Sequence, residues 1–547
     1  MTDSEPEDLR RSTGAGRTSI SASRLSRDPT HVSTNSGRRS VVRRLSSVVL
    51  LALLLLAFGL RAHRIGDQRV WWDEGWSVWA ARFPVAGILR ETGNDVHPPL
   101  YFTLLHVWRA GSGDSEAGLR LLSAFLGLLT VAATYALGRS MARGLLPPGA
   151  ARAVGLLAAL LLAVSRFAIA WSQEIRMYAL ATLLGVLAVW AARRVWAGGG
   201  RRAAAVYVLA TTAGLYTLYL FAPIWMAING AWVVGLWPRR KNPLPSPLPQ
   251  GEGTRNDPLP NPLPQGEGTR NDLLPSPLPG GEGTRNDPRP NPLPQGEGIW
   301  FPSLREGLGE GQPNPPQPRA IPWIALQLLI AALFLPWAVY AAGGFLSTAS
   351  ATPIRLLDFL HIYWTVLTVG IPVDVAQFNW LTLPALAIFV VAVTALVWTV
   401  GKKLTQGRQE AKTQRAETGG IGGRRVLADV VVLLAVLLLP IVLVYFISLP
   451  RQNFYNPPFN PRYLVIFTPF YSVVLAWGLG VVATRGRTSA DHGRQTTDDG
   501  QRVGRGLSSV VAPALLTVAA AIFMLAVALV GLWPYYPGRI RIDDYPS

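Results

Sequence analysis

The chain contains no cysteine. That excludes disulfides and thiolate metal sites. Charge is also scarce: 15% of the 547 residues are Asp, Glu, Lys or Arg, and half are hydrophobic. An average soluble domain carries about 25% charged residues. The deficit points to a membrane protein. The charge that is present is unbalanced, at +19. Its arginines lie in short stretches between apolar runs, not along one amphipathic face. Basic membrane-side loops account for that pattern, and nucleic acid is not expected as a partner.

A spanning helix needs about 20 mostly apolar residues. Eleven runs qualify, near 43–61, 119–138, 151–171, 178–197, 203–219, 220–237, 320–342, 381–400, 425–447, 463–484 and 508–533. The expected fold class is an all-α polytopic membrane protein of about 11 transmembrane helices. The first run, SSVVLLALLLLAFGL, lies too deep in the chain for an ordinary signal peptide and lacks a small-residue cleavage pattern. With the N-terminus placed in the cytoplasm, every cytoplasmic segment is basic. Arg43 and Arg44, Arg139 and Arg143, Arg193 and Arg194, Lys402 and Lys403, and Arg485 and Arg487 all fall on that side. The outer face then receives 62–118, 172–177, 343–380, 448–462 and the C-terminus.

The expected organisation has five parts. Residues 1–42 form a disordered tail, and 43–237 an N-terminal membrane module containing the long outer loop 62–118. Residues 238–319 are a Pro/Gly-rich cytoplasmic insert, 320–533 the C-terminal helices, and 534–547 a short outer tail. The insert repeats with a period of 15, as in PLPSPLPQGEGTRND followed by PLPNPLPQGEGTRND. Each unit has too little apolar surface to offset the entropy of ordering it, so an extended, polyproline-like segment is expected.

The outer loop is too long for a turn and too aromatic for disorder. It contains VWWDEGWSVW, in which Asp73 and Glu74 sit among Trp71, Trp72, Trp76 and Trp79. EGWSVWAARF reads as a short helix with Asp73 as its N-cap. Trp72, Trp76 and Trp79 would share one face, suited to the membrane interface. PPLYFTLLHVW reads as a second short helix entered through Pro98 and Pro99. A carboxylate at the water–lipid boundary can serve as a general base toward an acceptor hydroxyl or amine. The bland alternative is a cap with an aromatic belt. Glu74 can tune Asp73, and Asp73, Glu74 and His97 are candidates to hold a divalent cation, the one possible cofactor. The alternative for His97 is to order the loop.

Two further clusters are expected on the same face. In WSQEIRMYAL, Glu174 and Tyr178 are one helical turn apart. Arg176 can pair with Glu174 or with a lipid phosphate. In FNPRYLVIFTPFY, Arg462 and Tyr463 open a span, and snorkelling is the alternative. Carboxylate, arginine and tyrosine from three separate loops suggest a site for a phosphorylated lipid at the membrane surface.

WWDEGWS, HPPLYFTLLHVW, LRLLSAFLGLLTVAATYALGR and WSQEIRMYAL resemble the membrane glycosyltransferases of the GT-C fold. The similarity is to the bacterial glycosyltransferase 39 group, which is protein mannosyltransferase-like and Rgt-like. LYTLYLFAP and PRYLVIFTPFY are similar to its later segments. The resemblance implies a GT-C-like bundle with interfacial helices in the first outer loop. It implies a polyprenyl-phosphate sugar donor, a lipid, glycan or protein acceptor, and a site on the outer face of the cytoplasmic membrane. By motif, Asp73 matches the essential acid and Glu74 its partner, together the expected catalytic residues. His97, Glu174, Arg176, Tyr178, Arg462 and Tyr463 are expected to bind substrate. The mechanism implied is inverting, with Asp73 as general base and Arg176 or Arg462 against the leaving phosphate. The family's members often continue past the last span, where this chain has YYPGRIRIDDYPS. A transporter or lipid flippase is the rival reading. It calls for ionisable groups near mid-membrane, whereas the charges of this chain gather at the ends of the apolar runs.

Overall fold

The computed structural model describes residues 30–236, 320–347, 355–370, 375–412, 417–448, 461–492 and 508–533. The repeats at 243–298 and both chain ends lie outside the described residues. Everything described is helix, turn or irregular chain.

In order, the helices are α1 (Thr30–Ala62), α2 (Trp72–Ala80), α3 (Val85–Gly93), α4 (Leu100–Ser112), α5 (Glu116–Ala142), α6 (Pro148–Val164), α7 (Arg166–Ala170), α8 (Tyr178–Trp196), α9 (Gly200–Leu215), α10 (Ala222–Leu236), α11 (Ala320–Ser347), α12 (Leu356–Thr368), α13 (Asn379–Lys412), α14 (Glu417–Ser448), α15 (Thr468–His492) and α16 (Ser508–Leu532). Three 3-10 turns, Tyr219–Phe221, Val375–Phe378 and Pro461–Phe467, lead into α10, α13 and α15.

Nine helices among the described residues are long and apolar enough to cross a membrane. The chain is a multi-pass, all-α membrane protein. Two of the eleven expected spans fall short of that measure. Helix α6 is apolar but has 17 residues, and α9 has 16. At about 1.5 Å per residue each is roughly 25 Å long, against a hydrocarbon core of about 30 Å. Both nonetheless run from one end of the bundle to the other. The Leu100 N–H donates to the Tyr216 carbonyl at 3.0 Å, so α9 returns the chain to the end where α4 lies. Gln173, just past α7, donates to the carbonyls of Arg61 at 2.9 Å and His63 at 3.0 Å, at the end of α1. At the opposite end, Lys403 of α13 donates to the Gly144 carbonyl at 2.5 Å, and Arg193 of α8 pairs with Asp429 of α14 at 2.7 Å.

Helix α15 is the axis of the bundle. Of the most apolar 18-residue window within Pro461–Thr484, 89% is buried, against 17% for that within Arg44–Ala62 at the periphery. It packs on α5, α6, α13, α14 and α16. Close approach needs small residues, because lipid offers no hydrophobic drive and packing must supply the energy. A Cβ on Gly478 would lie 2.4 Å from the Ala392 carbonyl oxygen of α13. Helices α11, α13, α14 and α16 carry internal prolines, Pro336, Pro384, Pro440 and Pro513. Each removes one backbone hydrogen bond, a loss that membrane helices tolerate where neighbours compensate.

The loop after α1 folds into three short helices, α2, α3 and α4, where two were expected. Pro84 lies past the end of α2 at Ala80. It occupies the N-cap position of α3, where its fixed φ suits a helix start. Pro99 precedes α4 as expected. Trp76 turns inward, edge-on to Phe102 at 4.8 Å, while Trp72 is 85% exposed. An exposed tryptophan beside apolar spans is the signature of an interfacial helix.

Candidate active site

The two adjacent acids of the outer loop have opposite surroundings. Glu74 is fully buried, and so is Arg120 of α5. The Arg120 guanidinium donates to both Glu74 oxygens, at 2.9 and 2.6 Å, and to the carbonyls of Ile65 at 3.1 Å and Gln68 at 2.6 Å. The Ile175 N–H donates to Glu74 at 2.8 Å. A bidentate pair with its remaining donors satisfied can offset the desolvation of two buried charges. Glu74 thereby ties the first loop, α5 and the 171–177 segment together.

Asp73 is not an N-cap. Helix α2 begins at Trp72, the cap position is Trp71, and no side chain caps it. Asp73 sits in the first turn, where the helix dipole favours a negative charge. Two guanidiniums lie at its carboxylate. Arg462 donates directly to Oδ2, and Arg176 lies 3.9 Å from the same oxygen. The Asp73 side chain is 20% exposed, so solvent reaches it. Arg176 itself is buried. It donates to the Asp73 carbonyl at 3.0 Å and to Ser77 Oγ at 3.1 Å.

The pairing of Arg176 with Glu174, one of the two alternatives for that arginine, is not made among the described residues. Residues 171–177 form turns, and α8 starts only at Tyr178, so Glu174 and Tyr178 do not share a helical face. Glu174 is buried and accepts from Trp71 Nε1 at 2.5 Å. Burial pushes the Glu174 carboxyl well above the usual carboxylate range. The nearby Glu74 charge adds to this, against the Trp71 hydrogen bond and Arg120.

His97 has both ring nitrogens engaged. Nδ1 meets Asp95 at 2.8 Å, and Nε2 meets Arg176 at 3.1 Å. A guanidinium only donates, so Nε2 accepts and Nδ1 carries the proton. Burial, followed by the Arg176 charge, lowers the His97 pKa against the pull of Asp95. Asp73, Glu74 and His97 do not converge as a ligand set. Among the described residues no group of three or more His, Cys, Asp or Glu is placed to hold a metal ion.

Tyr178 and Tyr463 complete the constellation, edge-on at 6.1 Å. The Tyr178 hydroxyl is buried and has no hydrogen-bond partner among the described residues. The Arg462 guanidinium lies 5.6 Å from the Tyr463 ring and 5.9 Å from the Trp71 ring. Asp73, His97, Arg176, Tyr178, Arg462 and Tyr463 therefore come together, and Glu74 and Glu174 lie behind them.

Three participants were not singled out from sequence. Arg120 is an arginine one turn inside an apolar run, and such a charge needs a partner. Asp95 stands two residues before His97, and Ser77 lies one turn after Asp73. Sequence proximity was the available signal for both.

No protein-family model matches the sequence, and no curated protein does. One solved structure with a similar outline is the oligosaccharyltransferase of Archaeoglobus fulgidus, tethered to an acceptor peptide containing the NVT sequon. The identity is 12% and the TM-score 0.39, over 89% of this chain and 55% of that one. This chain thus corresponds to little more than half of that protein's length.

Proposed function

We propose that the protein is a membrane glycosyltransferase. It moves a sugar from a polyprenyl-phosphate donor to an acceptor hydroxyl or amine at the membrane surface, with Asp73 as general base. The observation that carries this reading is the Asp73 carboxylate, solvent-accessible and held between Arg462 and Arg176. The motif resemblance of the loop supplies the donor class.

Asp73 is a weak base while it neutralises Arg462, because an adjacent cation favours the charged carboxylate. A donor phosphate would compete for that guanidinium, and a phosphate suits arginine's planar fork. Once Arg462 turns to the phosphate, Asp73 is released to accept a proton. The acceptor's O–H or N–H proton goes to Asp73 as its heteroatom forms a bond to the anomeric carbon. The anomeric C–O bond to phosphate breaks on the opposite face. The electron pair leaves with polyprenyl phosphate, and the configuration inverts. Arg462 and Arg176 stabilise the charge that grows on the phosphate. The free Tyr178 hydroxyl stands beside them as a further donor.

Glu74 acts on this reading by position: with both oxygens held by Arg120, it fixes the helix that presents Asp73. The charged residues of the described spans, such as Arg120, Arg193, Asp429 and Arg462, lie near span ends. A translocation pathway would require some at mid-membrane. The test is consumption of a polyprenyl-phosphate sugar by the purified protein, with Asp73→Asn as the comparison.

A further inference from the structure

The end of the bundle opposite Asp73 holds a second buried charged cluster. Along α5, Arg120 and Ser140 are 20 residues apart, a rise of about 30 Å, or one hydrocarbon thickness. Around Ser140 the ends of α5, α8 and α14 converge. Arg193 donates to Ser140 Oγ, and its Nε donates to Asp429 Oδ1 at 2.7 Å. Asp429 is buried.

Arg425, one turn before Asp429 on α14, differs from Arg193. Its Nε and Nη2 are both buried, and neither has a hydrogen-bond partner among the described residues. These two N–H groups lie on one edge of the guanidinium and point in parallel, the arrangement that grips two oxygens of one oxyanion. Arg139 Nε is likewise buried without a partner. Around Asp429 the local balance is two arginines, Arg193 and Arg425, to one aspartate. Asp429 does not pair with Arg425: its Oδ1 accepts from Arg193, and its Oδ2 makes no hydrogen bond among the described residues. Buried donors left unmade cost about 1–3 kcal/mol each, and more when charged. The Arg425 side chain as a whole is half-buried and its neighbour Arg424 is exposed, so the covered fork lies just beneath the bundle surface.

We propose that Arg425, supported by Arg193, binds the phosphate of an anionic phospholipid in the membrane leaflet opposite Asp73. The depth fits a headgroup, and arginine clusters between spanning helices suit such lipids. The proposal does not depend on sugar transfer.

The test uses the full chain in detergent, stripped of lipid. It is titrated separately with phosphatidylglycerol, phosphatidylcholine and inorganic phosphate. Melting temperature and lipid adducts in native mass spectrometry are the readouts. Phosphatidylglycerol is expected to raise the melting temperature and to leave a retained adduct. Arg425→Gln should lose that adduct and weaken the titration midpoint about tenfold, as for the loss of a charge-assisted bond. Arg424→Gln should behave like the wild type. Arg425→Lys keeps the charge without the fork and is expected to bind more weakly than the wild type. It serves as the test variant if Arg425→Gln does not fold. Equal adducts and shifts in wild type and the Arg425 variants would overturn the proposal. A full shift with inorganic phosphate alone would make this a free-anion site and overturn the lipid assignment.

Discussion

Arg462 donates to the Asp73 carboxylate across 389 residues of sequence. The first long loop and the 3-10 turn that leads into the central helix α15 meet at that bond. Arg176, from a third segment, holds the Asp73 backbone carbonyl. The one accessible acid of the WWDEGWS stretch is thus oriented from both its main chain and its side chain.

Arg462→Met removes the guanidinium on which the donor phosphate is proposed to land. The Michaelis constant for a polyprenyl-phosphate sugar should rise at least tenfold, the size of one lost charge-assisted contact. Paired with Asp73→Asn, the losses should be far from additive, because the two residues act on one reaction coordinate. Additive losses in the steady-state constants would argue that the bond is only structural.

The Glu74–Arg120 pair should behave as a structural unit. Breaking a buried pair from one side costs about 3–5 kcal/mol. Arg120→Met alone should lower the melting temperature sharply. The double variant Glu74→Leu, Arg120→Met should recover part of the loss. A Glu74→Gln protein with wild-type stability and no activity would instead place Glu74 in the chemistry.

Glu174 and His97 give stability opposite pH dependences. The folded pKa of Glu174 is raised. Its contribution is complete below the unfolded value of about 4.5 and is lost as pH rises through the folded pKa. The folded pKa of His97 is lowered, so its contribution is present above about 6.5 and is lost as pH falls. In melts across pH, Glu174→Gln should flatten the alkaline side and His97→Gln the acid side. Unchanged slopes in both variants would contradict these surroundings.

Topology is open to direct labelling because the chain has no cysteine of its own. Gly111 and Gly149 are exposed, and an added Cβ would meet nothing within 4 Å at either. An impermeant thiol reagent applied to intact cells should label Gly111→Cys, on the Asp73 side, and spare Gly149→Cys. The reverse pattern would put the acids in the cytoplasm, where the proposed transfer has no place.

The spans were legible because apolar length is a local property. So was the clustering of Asp73, Arg176, Arg462 and the tyrosines at one end, since each flanks a span. Partner choice was not legible. Nothing in WWDEGWS says that Glu74 faces inward to Arg120 while Asp73 faces outward. That is settled by the packing of α2 on α4 and of α4 on α5. The N-cap expectation for Asp73 failed because the helix starts earlier: Trp71 holds the cap position and Asp73 lies in the first turn. The 172–177 segment was expected as an outer turn between two spans; what the sequence did not show is that the turns run up to Tyr178, so that Glu174 shares no helical face with it. Only the bonds of Gln173, Glu174 and Arg176 to other segments reveal the turns.

The most direct measurement is single-turnover transfer from a polyprenyl-phosphate sugar, comparing wild type with Asp73→Asn in the same membranes. General-base catalysis is worth about 10²–10⁴-fold. The account predicts a rate loss of that size in the variant, with expression, insertion and melting temperature unchanged. Donor consumed equally by both proteins would contradict it.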